Sequence, residues 1–254
     1  MIAAIPISST AGRSAPAGTF PAQRYAKVAA VLFLVSAIVG GIGEAYVPLR
    51  LIVSNDPAAT AANVRELNTL FRLGFATYLI EALADVALAV IFYYLLRPVD
   101  RTLALLTAFL GLISTTLYAV SESFYFAPSL LLGGAKYLTV FSPEQINALV
   151  LLSFRMFQTI GGLFLVFYGV GWMLRGYLIY RSGYLPKWLG VLLAIGGFGF
   201  VAQTFSFVLA PRYVTLLPLV PFMISGLVLM FWLFAKGIDA QQWEAAQRRT
   251  HALA

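Results

Sequence analysis

Residues 79–90 read LIEALADVALAV, an apolar stretch broken by two acids, Glu81 and Asp85. Side chains four residues apart share one helix face. Two carboxyls on one greasy face suit one kind of chemistry, the uptake of protons or the compensation of a cation. Burial and mutual repulsion both favour their neutral forms. Other polar residues recur at helical spacing. Thr115, Tyr118, Glu122 and Tyr125 form a stripe, and Arg155, Gln158, Thr159 and Gly162 share a face. Inside a bilayer such stripes must face protein or water, because lipid offers no partners.

The residues expected to contact a ligand or proton are therefore Glu81, Asp85, Glu122, Arg155, Tyr118, Gln158 and Arg72. Glu122 and Arg155 are expected to pair, since an unpaired charge at that depth is costly. Arg72 is the cation that would reach down to Glu81 and Asp85. A purely structural reading competes throughout: hydrogen bonds between helices for the two acids, an ion pair for Glu122 and Arg155. Glu44, after GGIG, reads as snorkelling to the outer surface.

The elements that position these residues follow from composition. The 254-residue chain is 61% hydrophobic and 11% charged, with mean hydropathy +0.87. Soluble domains carry about a quarter charged residues, so this chain has no polar coat and belongs in lipid. It has no cysteine, and its one histidine is His251. Disulfides, thiolate metal sites, a core zinc site and a Ser-His-Asp triad are thereby set aside. No metal and no cofactor are expected, and neither a phosphate loop nor a dinucleotide fingerprint is present.

Six apolar runs are each long enough to span a bilayer as a helix: about 25–47, 70–96, 102–127, 146–174, 187–209 and 215–235. The fold class expected is all-α, a polytopic six-helix transmembrane bundle over 24–237. A disordered tail is expected over 1–23, and a second tail over 238–254 whose short interfacial helix would anchor Trp243 at the headgroups. Arg13, Arg24, Lys27, Arg97, Arg101, Arg175, Arg181, Lys187, Lys236, Arg248 and Arg249 fall in one set of segments outside the spans, against Arg50, Arg65, Arg72, Lys136 and Arg212 in the other. The positive-inside rule makes the first set cytoplasmic and both termini internal. The net charge of +7 then reflects topology and attraction to anionic inner-leaflet lipids, not nucleic acid.

Depth can be counted at about 1.5 Å per residue. Asp85 comes out about 18 Å and Glu81 about 24 Å above Arg97, Glu122 about 31 Å above Arg101, and Arg155 about 30 Å above Arg175. All but Asp85 fall in the outer half of a core about 30 Å thick. The inner halves look empty of ionisable groups. These counts predict a polar pocket open outward and sealed inward.

Asp56-Pro57 and Ser142-Pro143 each supply an N-cap before a proline, the second with Gln145 completing a capping box. The basic turns RPVDR and YRSGYLPK also match, so helices two-three and four-five read as one hairpin used twice. Pro218 and Pro221 should kink helix six near its outer end.

FRLG at 71–74, DVALA at 85–89, YLLRPVDRTLALL at 94–106 and GYLIYRSGYLPKWLGVLL at 176–193 resemble a family of bacterial multi-pass membrane proteins, domain of unknown function 4386. The resemblance covers about residues 25–240. It implies a bacterial plasma-membrane protein, and it supplies no reaction, substrate or catalytic residue.

Three functional classes fit. One is a protein that binds or transports a small polar or cationic solute, or protons, through the acidic pocket. The alternative is a non-catalytic accessory or structural subunit with a membrane-protein partner. An intramembrane enzyme ranks last, for want of a nucleophile motif, and the chain is read as not an enzyme. If both termini are internal, protease added to intact cells leaves both tails uncut, and protease added to inside-out vesicles removes them. Cleavage in intact cells would reverse the topology.

Overall fold

A computed structural model describes residues 20–252, and among these every regular element is helical. In chain order they are α1 (Phe20–Gly40), a π-helical turn (Gly41–Tyr46), α2 (Val47–Leu51), α3 (Pro57–Glu66), α4 (Asn68–Leu96), α5 (Arg101–Phe126), α6 (Pro128–Leu131), a 3-10 turn (Lys136–Val140), α7 (Pro143–Ser182), α8 (Lys187–Leu209), two further 3-10 turns (Pro211–Tyr213 and Leu217–Leu219), α9 (Val220–Ala235) and α10 (Ala240–Ala252). Six helical segments, with α1 continuing into α2 and α5 into α6, are long and apolar enough to cross a membrane. α1 packs on α4, α4 on α5, α5 on α7, α7 on α8, α8 on α9, and α9 back on α1. The result is a closed ring of six.

Local chemistry sets most boundaries. Asp56 accepts from Ala59 N at 2.9 Å and Asp100 from Leu103 N at 2.9 Å. Ser142 and Gln145 form the expected capping box. The Asp56 cap opens α3, a short helix separated from the α4 span by a break at Leu67. α7 is longer than its apolar run suggests. It continues through the basic residues to Ser182 and stops at Gly183, whose φ of +76° suits only glycine well. Pro218 and Pro221 do not kink a helix: the first lies in a 3-10 turn, and the second sits at the start of α9. The tail expected over 1–23 lies mostly outside the described residues, and α1 begins at Phe20.

Two apolar cores hold the ring. One lies at the end of the bundle that carries the termini, around Ala26, Phe92, Leu95, Trp172, Leu189 and Leu229. The other lies at the opposite end, around Val47, Leu51, Val64, Phe71, Tyr125 and Phe154. Where lipid surrounds the bundle, close backbone approach and interhelical hydrogen bonds supply the glue. Ser121 Oγ donates to Phe157 O at 2.7 Å and Ser114 Oγ to Phe164 O at 3.3 Å, tying α5 to α7. α7 and α8 meet through glycines. A Cβ on Gly176 would lie 2.5 Å from Gly190 O, and one on Gly190 would lie 2.6 Å from Tyr180 N.

α10 does not hold Trp243 out for headgroups as expected. Trp243 is buried, and its Nε1 donates to Leu95 O at 2.9 Å. Tyr184 OH donates to the same carbonyl at 2.6 Å. Gln23 joins the two ends of the chain, donating to Lys236 O at 3.1 Å and accepting from Ile238 N at 2.9 Å.

Gly190→Val should lower the thermal unfolding midpoint in detergent, because overpacking a backbone contact costs roughly 1–3 kcal/mol. Gly226→Ala, where no atom lies within 4 Å of the added carbon, should leave the midpoint unchanged or raise it.

Candidate functional site

The acids do converge, in a different company from the one expected. Glu81 is half-buried on α4. Its carboxyl lies against Gly40 of α1, with Oε1 2.9 Å from where a Cβ would stand. That glycine is what admits a carboxyl between the two helices. Glu44 follows on the π-helical turn and faces Glu81 and Tyr118. Tyr118 of α5 is 7% exposed, wedged between Tyr78 (ring centroids 5.1 Å apart) and Phe164 (4.9 Å). Its hydroxyl faces Glu44, Glu81 and Glu122, yet it makes no hydrogen bond of good geometry to any of them. Glu122, one turn along α5, is 4% exposed. Asp85 lies one turn along α4 toward the end that carries the termini, half-buried, within the fields of Glu44 and Arg175.

Arg175 is the cation of the site. It is 7% exposed, held between the rings of Phe92 (4.3 Å) and Trp172 (4.7 Å), with its Nε unpartnered. Phe164, Tyr168 and Trp172 repeat every four residues along α7 and contact one another in sequence. This aromatic column leads from Tyr118 down to the guanidinium. Trp172 is fixed in turn by its Nε1, which donates to Ser225 Oγ at 3.1 Å.

Three sequence expectations are corrected. Arg155 does not pair with Glu122. It is exposed, with its guanidinium on Gln158 Oε1 at 3.4 Å and Asn55 Oδ1 at 3.5 Å. The counted depths agreed, but Ser153, Phe154 and Phe157 carry the buried face of α7, and Arg155 and Gln158 point away from it. Arg72 does not reach the acids. It is exposed, bonded to Asn68 Oδ1 at 2.9 Å, and lies in a separate recess. The half of the bundle nearer the termini is not free of ionisable groups, since Arg175 is buried there. The long basic turn made it look like a loop residue. Glu44 is exposed as expected, but it also faces Glu81 and Tyr118, which the sequence reading missed; the GGIG before it, small enough for α4 to approach, was the available signal.

The cluster lies between the two apolar cores, with Glu44 still exposed, so the surface reaches it along α1. Between the acids and the end of the bundle opposite the termini lies the second apolar core, contrary to the outward-open pocket expected over them. Two surface recesses lie elsewhere. One of about 460 Å³ is lined by Tyr184, Trp232, Lys236 and Gln242, and another of about 260 Å³ by Arg65, Asn68, Arg72 and Ser129. Among the described residues no three carboxyls close to metal-ligating distance.

A ring of six apolar helices around a small set of buried ionisable groups defines an integral, multi-pass membrane protein. Its family is shown by sequence: the chain belongs to the family described as "Domain of unknown function (DUF4386)", whose model matches residues 28–237. An "Uncharacterized protein" of Archaeoglobus fulgidus is 27% identical over 117 residues, 46% of this chain and 56% of that protein. The match thus spans about half the length of this relative. No solved structure matches.

The Asp85–Arg175 relation gives an asymmetric prediction. A buried carboxyl can neutralise itself by taking a proton, whereas a guanidinium stays charged. Arg175→Met, which keeps bulk between Phe92 and Trp172, should leave the unfolding midpoint unchanged or higher. Asp85→Leu should lower it, because it removes a compensating carboxyl near a guanidinium that cannot neutralise itself. Thermal unfolding in detergent measures both.

Proposed function

We propose that the Glu44–Glu81–Asp85–Glu122 cluster is a proton- or cation-exchanging site, and that the protein binds or transports a small cationic species through it. One observation carries the reading: four carboxyls on three helices lie near one another, with Glu44, Glu81 and Glu122 around the Tyr118 hydroxyl and Asp85 within the field of the Arg175 guanidinium. Full ionisation would leave three uncompensated negative charges in a low-dielectric interior, where charge is expensive. The cluster therefore takes up protons or a cation from its surroundings. The carboxyls are strung along the bundle and do not close on a point, which favours a proton passed between sites over a tightly chelated ion.

Tyr118 stands where three carboxyls meet, and its free hydroxyl can relay a proton among them. The aromatic column closes the route toward Arg175, so passage through the protein requires one part of the ring to move against another, as in other alternating-access bundles. We place the protein in the bacterial plasma membrane with both termini cytoplasmic, on the distribution of its basic residues. The packed cores on both sides of the cluster favour the alternative, an accessory subunit in which the acids are structural.

The test is Glu81→Gln with Asp85→Asn, reconstituted in vesicles carrying a pH-sensitive dye. Wild-type protein should dissipate an imposed proton gradient or show pH-dependent solute uptake, and the double variant should be inert while folding normally. Equal behaviour of the two proteins would remove the exchange reading and leave the accessory one.

A further inference from the structure

A recess lined by two arginines lies at the end of the bundle opposite the termini, away from the acid cluster. Its volume is about 260 Å³, and it lies between the end of α3, the first turns of α4, and α6 with the residues after it. Its polar lining is Arg65, Asn68, Arg72 and Ser129, with apolar walls from Val64 and Pro128. Its charge is wholly positive, because no carboxylate is among the lining residues.

Neutral amides hold the two arginines. Arg72 Nε donates to Asn68 Oδ1 at 2.9 Å, and Arg65 Nη2 to Asn147 Oδ1 at 3.5 Å. Each guanidinium keeps further N–H groups for a ligand, since arginine carries five donors. The Asn68 oxygen is taken by Arg72, so its amide NH₂ remains a donor, and the Ser129 hydroxyl adds another. Two oriented guanidinia with neutral donors beside them match a tetrahedral oxyanion, for which the planar fork is well shaped.

The height of the recess narrows the ligand. Arg72 lies roughly 24 residues along α4 from Leu96, about 36 Å at 1.5 Å per residue. The hydrocarbon core is about 30 Å thick, and the headgroup layers extend it to about 40–45 Å. The guanidinia thus stand at the level of lipid phosphates, while the recess also opens to water. We propose that the Arg65–Arg72 recess binds a phosphate group, either the diester of an anionic phospholipid or a free phosphate.

The experiment uses the full chain, purified in detergent and stripped of lipid, as wild type, as Arg65→Gln/Arg72→Gln, and as Arg72→Lys. The probes are inorganic phosphate and short-chain dihexanoylphosphatidylglycerol, and binding is read by native mass and by ligand-induced shift of the unfolding midpoint. Wild type should bind at least one probe, and the double variant should bind it at least about tenfold more weakly, the loss expected from one charge-assisted contact. Arg72→Lys should fall between them, since it keeps the charge and loses the fork. Binding of the glycerol lipid alone assigns the recess to the bilayer, and binding of both probes assigns it to the phosphate group itself. No adduct with either probe, or equal binding by wild type and either variant, overturns the proposal. Both side chains are exposed, and midpoints without ligand check that each variant folds. Should the double variant fail that check, Arg72→Lys against wild type decides the matter alone.

Discussion

A charge inside hydrocarbon has to be neutralised or matched, and the architecture of this protein follows from that constraint. Four carboxyls enter the bundle on α4, α5 and the turn after α1. None can be left facing acyl chains without a cost of at least a few kcal/mol. The ring of helices brings them toward one another, with Asp85 within the field of Arg175 and Glu44 partly at the surface. Everything else in the interior arranges the approach: Gly40 gives way to the Glu81 carboxyl, and Tyr118 stands where the acids meet. Arg175 itself is held by the faces of Phe92 and Trp172. Cation–π contact is strongest where water is excluded, so aromatic walls stabilise the one cation in place of a close carboxylate.

The helical bundle was legible in the sequence because lipid imposes a simple rule, about 20 apolar residues per crossing. The expected span 187–209 coincides with α8, and the expected 70–96 lies within two residues of α4. The capping box at Ser142 was legible for the same reason, a local pattern with a local cause. What failed was azimuth. Counting residues along a helix fixes height, and height put Arg155 beside Glu122. Which way a side chain faces depends on which neighbours the helix packs against, and in an apolar helix nearly every face is equally greasy. The seam of Gly169, Gly176, Gly190 and Gly197 decides that rotation for α7 and α8.

A second failure has a different cause. Arg175 and Trp243 were assigned to water and to headgroups by residue type. Both are buried, because the protein supplies partners that type-based reasoning does not include: two aromatic faces for the arginine and the Leu95 carbonyl for the tryptophan. Glu44 differs: it keeps an exposed side chain and faces the cluster as well. Its position on a π-helical turn, frequent at functional sites, became visible only once the backbone was known.

The clasp made by Gln23 has a bearing on biogenesis. Its partners, Lys236 O and Ile238 N, are more than 200 residues away in the chain. During translation the face of the first helix that meets α9 stays uncovered in the membrane until the last span has left the ribosome. Only then can the ring shut, so nascent chains halted before that point would present an open seam to quality-control proteases.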